Sequence, residues 1–462
     1  MTVTAAIRIP HIVQGTVRFG DAVEHSSRIG ERVLTPRLDL DELVVPRSTP
    51  GPAFDVPINE VLQFLGETGR QLDYDTNPYL AEAAEMMSGV SPHSRRIIEH
   101  SYRELAEMFE PEALGYQIER ELGSAVLDGW VPVHRPGLPP ARIRAFPPRL
   151  LHVMPGNGPG GAAMSIIRGA LTKGINLLKL PSNDLCTATA ILRTMIAIDP
   201  DHPVVRSFSA VYWRGGDASV DSLLLRPQYF DKVVAWGGEN TIRHIVGYLG
   251  PGLELVAFDP KASISMIGRE AFTDEQTLAR VVELAATDVT VMNQEACVAS
   301  RYQFIEGSLA EIDTYCEMLA AALAADRAWS DAQIWKPDRQ IRDSVEVFEM
   351  LESHRVWGKC DGRGLVLRSD EPVDFHPSAK TVNVVPVGRL EDATHRATVA
   401  TQTVGVYPTT RKVQLRNALA CAGVQRVVDL GNAMGLVANH GLPHDGFFPL
   451  QRMVRWVSDE DL

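Results

Sequence analysis

From Pro148 onward, short apolar runs alternate with helical segments, and this alternation limits the possible fold more than any other feature. The runs are "RLLHVMP", "NLLKLPS", "FSAVYW", "KVVAWGG" and "LELVAF", and segments with helical spacing such as "GAAMSIIRGALTKG" and "TATAILRTMIAI" lie between them. Parallel strands need crossover connections, which are usually helices. The pattern therefore predicts an α/β fold with a doubly wound parallel sheet.

The length of 462 residues favours two domains over a single small core. Residues 1–50 contain β-prone runs and form a predicted β-rich segment. Residues 51–270 combine a helical lead-in with a dinucleotide-binding domain. A second α/β domain covers residues 271–430, with "DEQTLARVVELAATD" as a helix and "GLVLRSD" and "KTVNVVPV" as strands. Residues 431–462 form a predicted C-terminal tail.

Composition excludes several classes of function. A net charge of −13 argues against broad nucleic-acid binding, and no run of about 18 apolar residues predicts a membrane span. The first residues lack the pattern of a secretory signal, so we expect a cytoplasmic protein. No CxxC spacing is present, so the cysteines are expected to be free thiols. His440 and His444 lie in a stretch rich in glycine and proline, without an HExxH pattern, and we assign no metal.

Two residues are candidates for chemistry on a carbonyl group. Cys297 lies in "VMNQEACVASRYQF", and it is either a nucleophile or a small core residue. Asn157 lies in "HVMPGNGPGG" after a predicted strand, where its amide could donate to an oxyanion, although Asn-Gly is also ordinary turn chemistry.

Four further residues follow predicted strands and could contact a nucleotide. Gly237 and Gly238 lie at a predicted strand-to-helix turn, where backbone amides can approach a pyrophosphate, but a tight connection would look the same. Lys179 and Ser182 could bind a ribose or its phosphate, whereas the alternative for Lys179 is a solvated lysine at a strand end. The stretch "KVVAWGGENTIRHIVGYLG" around the two glycines contains no GxGxxG motif.

The order of these elements resembles the aldehyde dehydrogenase superfamily. The segments "VVAWGGENTIRHI", "FDPKASISMIG", "MNQEACVASR" and "HDGFFPLQRMVRWV" resemble its LuxC-like acyl-CoA reductase branch, typified by the bacterial-luminescence fatty acid reductase. The resemblance covers about residues 55–460. It implies an aldehyde-dehydrogenase-like fold, with a cofactor domain and a catalytic domain.

The resemblance also implies roles for the catalytic candidates. Cys297 matches the nucleophilic cysteine, and Asn157 matches the asparagine that forms the oxyanion hole together with the backbone N–H of Cys297. Met154 and Pro155 precede this asparagine as an apolar residue and a proline do in the superfamily, and we group them with the cofactor-binding residues. The other cysteines are expected to be structural, including Cys186 within a predicted helix.

For the cofactor, the resemblance implies that Lys179 and Ser182 contact the adenosine ribose and that Gly237 and Gly238 lie beside the pyrophosphate. Members that prefer NAD often carry a glutamate at the position of Ser182. Serine removes a charge that would repel a 2′-phosphate, so NADPH is the predicted cofactor rather than NADH.

Two carboxylates of the superfamily are missing from this chain. Counting back from Lys261, the general-base glutamate of the oxidising enzymes falls on Ala257. With Pro386 as the anchor, the glutamate that holds the nicotinamide ribose falls on Val382. The first loss fits a reductase, whose acyl-enzyme must be protected from water.

We therefore predict the reduction of an acyl thioester to an aldehyde through an acyl-Cys297 intermediate. The acyl donor would be coenzyme A or a carrier-protein pantetheine, and an acyl-protein synthetase is a further expected partner. The family implies a homo-oligomer. A cofactor-independent acyltransferase, an oxidising aldehyde dehydrogenase and a non-catalytic nucleotide-binding protein are the alternatives that the sequence leaves open.

Overall fold

The computed structural model describes residues 6–27, 30–351, 353–435 and 441–460. The chain divides into two compact units. The first comprises Met1–Asp259 and Val437–Leu462, and the second comprises Pro260–Leu436. His440 lies outside the described residues.

The first unit contains a seven-stranded sheet with apolar residues packed against it. In spatial order its strands are Glu254–Phe258, Lys232–Trp236, Arg149–Val153, Ile175–Lys179, Phe208–Val211, His11–Val13 and Thr16–Arg18. The first five are mutually parallel and the last two pair antiparallel. Two smaller sheets have three strands each. The strands of one are, in spatial order, Ile7–Arg8, Arg32–Pro36 and Ala22–Ser26. Those of the other are Arg455–Glu460, Ala141–Phe146 and Val131–Val133.

The helices of the first unit follow the predicted pattern in its helical lead-in and in the crossovers. They are Leu40–Leu43, Ile58–Gln71, Pro78–Met87, Arg95–Arg103, Pro111–Glu121, Ala125–Asp128, Pro159–Leu171, Thr187–Ile198, Pro203–Arg206, Ala218–Leu224, Glu239–Val246 and Pro449–Met453, with a 3-10 turn at Ala106–Phe109. Asn77 caps the helix that begins at Pro78, because its side chain accepts hydrogen bonds from the N–H groups of Tyr79 and Leu80.

One short helix differs from the prediction. The run "RVLTPRLDLDELVVP" is β-prone along its length, yet only Arg32–Pro36 forms a strand. Leu40–Leu43 is helical because the Asp39 side chain accepts a hydrogen bond from Asp41 N–H and caps it. A local side-chain bond outweighs the strand preference of the neighbouring residues.

In the large sheet of the first unit, the direction in which successive strands are added reverses once. The chain builds outward from Arg149–Val153 through Ile175–Lys179 to Phe208–Val211. It then returns to the opposite side of Arg149–Val153 to form Lys232–Trp236. The reversal therefore lies between Arg149–Val153 and Lys232–Trp236, and sheets of this kind bind ligands at the carboxyl ends of the two strands that flank such a point.

The second unit is built on another seven-stranded sheet. Its strands, in spatial order, are Arg355–Lys359, Gly364–Arg368, Thr381–Val387, Ser300–Glu306, Ala262–Ile267, Thr401–Tyr407 and Arg426–Asp429, and only the first pair is antiparallel. Its helices are Glu275–Thr290, Leu309–Leu323, Arg339–Phe348 and Thr409–Ala422, with 3-10 turns at Arg269–Phe272, Val291–Gln294 and Leu390–Arg396. No helix in the described parts of the chain has both the length and the apolar character needed to cross a bilayer.

Candidate active-site residues

Four of the predicted cofactor residues, Met154, Pro155, Gly237 and Gly238, lie at the reversal of the sheet in the first unit, and Lys179 and Ser182 follow the neighbouring strand Ile175–Lys179. Residues 154–158 follow the strand Arg149–Val153, and Gly237 and Gly238 connect the strand Lys232–Trp236 to the helix Glu239–Val246. The sequence placed these glycines at a strand-to-helix turn, and the structure confirms that placement. A Cβ atom at Gly238 would meet nothing within 4 Å, so space is open beside this helix N-terminus.

The loop that carries Asn157 is held by close contacts along its length. A Cβ atom on Gly156 would lie 1.8 Å from Asn183 Oδ1, so this side chain approaches the loop backbone where only glycine fits. His93 Nε2 lies 3.2 Å from the carbonyl oxygen of Asn157. Since a carbonyl oxygen only accepts, Nε2 carries the hydrogen in this contact. No pattern in the sequence indicated that His93 would reach this loop.

Pro155 of the same loop rests on the next helix. A Cβ atom on Gly161 would lie 2.3 Å from Pro155 Cγ, so the pyrrolidine ring occupies the space that a side chain at 161 would need. Met154 is buried, and its N–H donates to the carbonyl oxygen of Lys179 across the strand ends. The contact of Pro155 with the helix and the bond of Met154 to the neighbouring strand end therefore fix the position of the loop.

Lys179 ends the strand Ile175–Lys179, and Ser182 lies in the turn that follows. Lys179 Nζ is 5.0 Å from the centre of the Trp213 ring. Burial lowers the pKa of Lys179, and the charge of Asp221 opposes that shift. Lys179 is therefore half-buried at the end of its strand.

Asp221 connects Lys179 to a group of residues that sequence reasoning missed. Trp213 Nε1–H donates to Asp221 Oδ1 at 2.8 Å, and His244 Nε2 lies 2.8 Å from Asp221 Oδ2. Asp221 is 4 % exposed, so its carboxylate depends on these partners for stabilisation. The three residues are separated by 8 and 23 positions in the chain, and no local pattern links them.

In the second unit, Cys297 is half-buried and follows a strained segment. The φ angles of Met292, Asn293 and Gln294 are 51°, 55° and 69°, in the left-handed region that non-glycine residues rarely adopt. Side-chain bonds hold this segment in place. Asp331 N–H donates to Asn293 Oδ1 at 2.9 Å, and Gln294 Nε2 donates to the carbonyl oxygen of Thr381 at 2.8 Å.

The backbone at Cys297 itself is fixed by a neighbouring strand. Ser263 Oγ donates to the carbonyl oxygen of Cys297 at 2.8 Å and accepts from Thr403 N–H. These two bonds hold the backbone of Cys297 against the neighbouring strands of the sheet. The other buried cysteines are Cys316, inside the helix Leu309–Leu323, and Cys186, which lies at the N-cap of Thr187–Ile198 rather than within that helix as predicted.

Two guanidinium groups, those of Arg301 and Arg426, are part of the electrostatic surroundings of Cys297. Burial lowers the pKa of Arg301, and the charges of Glu295 and Cys297 oppose this shift. Burial likewise lowers the pKa of Arg426, opposed by Asp288 and Cys297. Both arginines keep their charge at neutral pH, and nearby cations favour the thiolate over the thiol. Sequence reasoning did not include these arginines.

The two positions without a carboxylate are embedded in sheets. Ala257 pairs with Ala235 in the first unit, and Val382 is completely buried in the strand Thr381–Val387 of the second. Neither position has a carboxylate. His444, considered as a metal ligand, has its Nδ1 atom 3.1 Å from Arg168 Nη2, which donates to it.

The fold is that of the aldehyde dehydrogenases. The chain superposes on ALDH21 from Physcomitrella patens with a TM-score of 0.72 and 11% identity, covering 98% of each chain. The NAD-bound Delta-pyrroline-5-carboxylate dehydrogenase from Mycobacterium tuberculosis gives a TM-score of 0.70 with 17% identity, covering 99% of this chain and 91% of that one. These likenesses define the fold class.

Within this fold class, the chain belongs to the acyl-CoA reductase (LuxC) family, whose model matches residues 53–456. It is 28% identical to the long-chain acyl-protein thioester reductase of Vibrio harveyi, over 88% of this chain and 83% of that protein. It is 31% identical to the enzyme of the same name from Photorhabdus luminescens, over 74% of this chain and 69% of that protein.

Proposed function

We propose that this protein reduces an acyl thioester to an aldehyde, with NADPH as hydride donor and Cys297 as acyl acceptor. The observation that carries the proposal is Cys297 itself, fixed by Ser263 and acted on by Arg301 and Arg426, in a chain of the acyl-CoA reductase family. The names of the Vibrio and Photorhabdus relatives favour a long-chain acyl group.

The residues at the reversal of the first sheet fit a dinucleotide. Open space beside Gly238 and the N–H groups at the start of the helix Glu239–Val246 suit a pyrophosphate. Lys179 would contact the adenosine ribose, and Ser182 would leave room for a 2′-phosphate without charge repulsion. When bound there, NADPH supplies the hydride.

Acyl transfer to Cys297 requires no carboxylate base. The thiolate attacks the acyl carbonyl carbon, a new C–S bond forms, and the donor thiolate leaves with the electrons of the old C–S bond. Arg301 and Arg426 favour the attacking thiolate, which is the reactive species. Asn157 is proposed to donate its side-chain N–H to the oxyanion of this reaction. After hydride transfer, the Cys297 thiohemiacetal releases the aldehyde and regenerates the cysteine.

Acylation of Cys297 is tested by intact mass. Incubation with a long-chain acyl thioester, without NADPH, should add one acyl mass, and Cys297→Ala should abolish the addition. Cys421→Ala is the control, because Cys421 is exposed and is the thiol most open to adventitious acylation. An adduct that persists in Cys297→Ala and disappears in Cys421→Ala would refute the assignment.

The cofactor proposal is tested at Ser182. Binding of NADPH should exceed binding of NADH, and Ser182→Glu should erase the difference by placing a carboxylate near the 2′-phosphate. Ser182→Gln introduces a side chain of nearly the same shape as glutamate but without its charge, and it should retain the preference for NADPH over NADH. Equal affinity of the unmodified protein for both cofactors would remove the argument for NADPH.

An oxidising aldehyde dehydrogenase and an acyltransferase are the competing functions. Rapid formation of free acid from aldehyde and NADP, without a thiol acceptor, would favour the first, and Ala257 argues against it because alanine cannot activate water. Acyl transfer without any response to NADPH would favour the second. A panel of acyl-CoA and acyl-carrier-protein donors identifies the natural thiol. Action in the cytoplasm and a homo-oligomeric state are parts of the same proposal, open to fractionation and gel filtration.

A further inference from the structure

Lys179 has an unusual environment for a residue that contacts a nucleotide. Its ammonium group lies over the Trp213 ring at 5.0 Å, at the carboxyl end of the strand Ile175–Lys179. An ammonium group in such a place is partly removed from water, and burial favours its neutral form. Lys179 would then tend to lose its positive charge at the place where a phosphate-bearing ligand needs a cation.

Asp221 counteracts this loss of hydration. Burial lowers the pKa of Lys179, and the negative charge of Asp221 raises it. Among the described residues, Asp221 is the group with this effect on Lys179. Asp221 comes from the helix Ala218–Leu224, whereas Lys179 comes from a strand of the sheet. The charge therefore reaches Lys179 from a separate element of the fold.

The Asp221 carboxylate has partners on both oxygens. Trp213 Nε1–H donates to Oδ1 and His244 Nε2 approaches Oδ2, each at 2.8 Å. Trp213 is 3 % exposed and is packed among apolar side chains of the first unit. His244 belongs to the helix that follows Gly237 and Gly238, and its ring contacts Tyr248 at 5.1 Å. Two crossover connections of the sheet thus meet at one buried carboxylate, since Trp213 and Asp221 belong to the first and His244 to the second.

We propose that Asp221 is a positioning residue for NADPH: its carboxylate fixes the Trp213 ring on which the Lys179 ammonium group rests, and so places that group for the adenosine ribose and its 2′-phosphate. This inference rests on the proposed cofactor role of Lys179. Removal of the Asp221 charge should lower the pKa of Lys179 further. The loss of NADPH affinity with rising pH should then begin at a lower pH than in the unmodified protein.

The test compares two variants, each of which replaces one carboxylate of the same helical segment by an amide. Asp221→Asn removes the buried carboxylate, and Asp217→Asn removes the carboxylate that caps the same helix, where asparagine caps equally well. NADPH dissociation constants are measured by fluorescence across a pH series, together with thermal unfolding. We expect Asp221→Asn to weaken NADPH about tenfold, the change equivalent to 1.4 kcal/mol, and to move the alkaline loss of affinity to lower pH.

Asp217→Asn should bind NADPH like the unmodified protein and should acylate Cys297 at the unmodified rate in the absence of cofactor. Indistinguishable affinities and pH profiles for the two variants would overturn the role of Asp221. If Asp221→Asn does not fold, Trp213→Phe removes the indole N–H together with part of the ring surface on which Lys179 rests, and should weaken NADPH roughly threefold. An unchanged dissociation constant in that variant would equally overturn the proposal.

A third variant separates this inference from the proposed function. Lys179→Met removes the cation itself and should weaken NADPH at every pH at which Lys179 is charged. If Lys179→Met binds NADPH like the unmodified protein, the cofactor role of Lys179 is wrong. If Lys179→Met is weakened while Asp221→Asn matches Asp217→Asn, only the positioning role of Asp221 is wrong.

Discussion

Gly161 should tolerate no side chain, because Pro155 occupies the space beside it. The new Cβ atom of Gly161→Ala would lie 2.3 Å from Pro155 Cγ and 3.3 Å from its Cβ, and a pyrrolidine ring cannot rotate away. Gly160 is the matched control in the same helix, since a Cβ atom there would meet only Met108 Sδ at 3.8 Å. Both substitutions replace a helical glycine by alanine in the first turn of Pro159–Leu171.

The difference between the two variants isolates the contact with Pro155. Replacing glycine by alanine in a helix gains about 0.8–1 kcal/mol, less at the first turn, and this gain is nearly common to both variants. Overpacking a well-packed site costs about 1–3 kcal/mol. We therefore expect the free energy of unfolding of Gly161→Ala to lie about 1–3 kcal/mol below that of Gly160→Ala.

Displacement of Pro155 should also disturb the Asn157 loop. Chemical denaturation of both variants gives the difference in stability, and the rate of acyl addition by intact mass reports on the loop. Gly161→Ala should acylate more slowly than Gly160→Ala at a temperature where both are folded. Equal stability of the two variants would refute the packing argument, and equal acylation rates would show that the loop does not depend on it.

Three further predictions concern the second unit. Ser263→Ala should lose about 1–3 kcal/mol of unfolding free energy by denaturation and should slow acylation by intact mass, because its Oγ no longer donates to the Cys297 carbonyl. Burial raises the pKa of Asp288 to about 6, so the folded state binds the proton of this carboxyl group more tightly than the unfolded chain does. The free energy of unfolding should therefore fall by up to about 3 kcal/mol as pH rises from about 4 to 6. Asp288→Asn should remove that part of the slope in denaturation curves measured across this range, and a variant with the slope unchanged would contradict the assignment. Lys380→Met should cost about 2–5 kcal/mol in the same assay, since the fully buried Lys380 donates to three backbone carbonyl groups, whereas the exposed Lys359→Met should change stability by less than about 0.5 kcal/mol.

Local apolar periodicity was enough to predict the elements around the candidate site. The strands that end before Asn157, Ser182 and Gly237 were identified because each is a short apolar run bounded by turn residues. The family and its fold class were recognisable from the order of these motifs. The short helix at Leu40–Leu43 was missed because one aspartate side chain, rather than periodicity, decides it.

The sequence by itself determined which segments are strands and helices, and it singled out Cys297 and its family, because these depend on residues close together in the chain. Only the tertiary structure decided the order of the strands, and with it the reversal beside Gly237. It alone brought Ser263 to Cys297 across 34 positions and Asp221 to Trp213 and His244. Hydrogen bonds and charges act over a few ångströms of space, and separation along the chain does not limit them. The partners that tune the site therefore become visible only when the sheets are assembled.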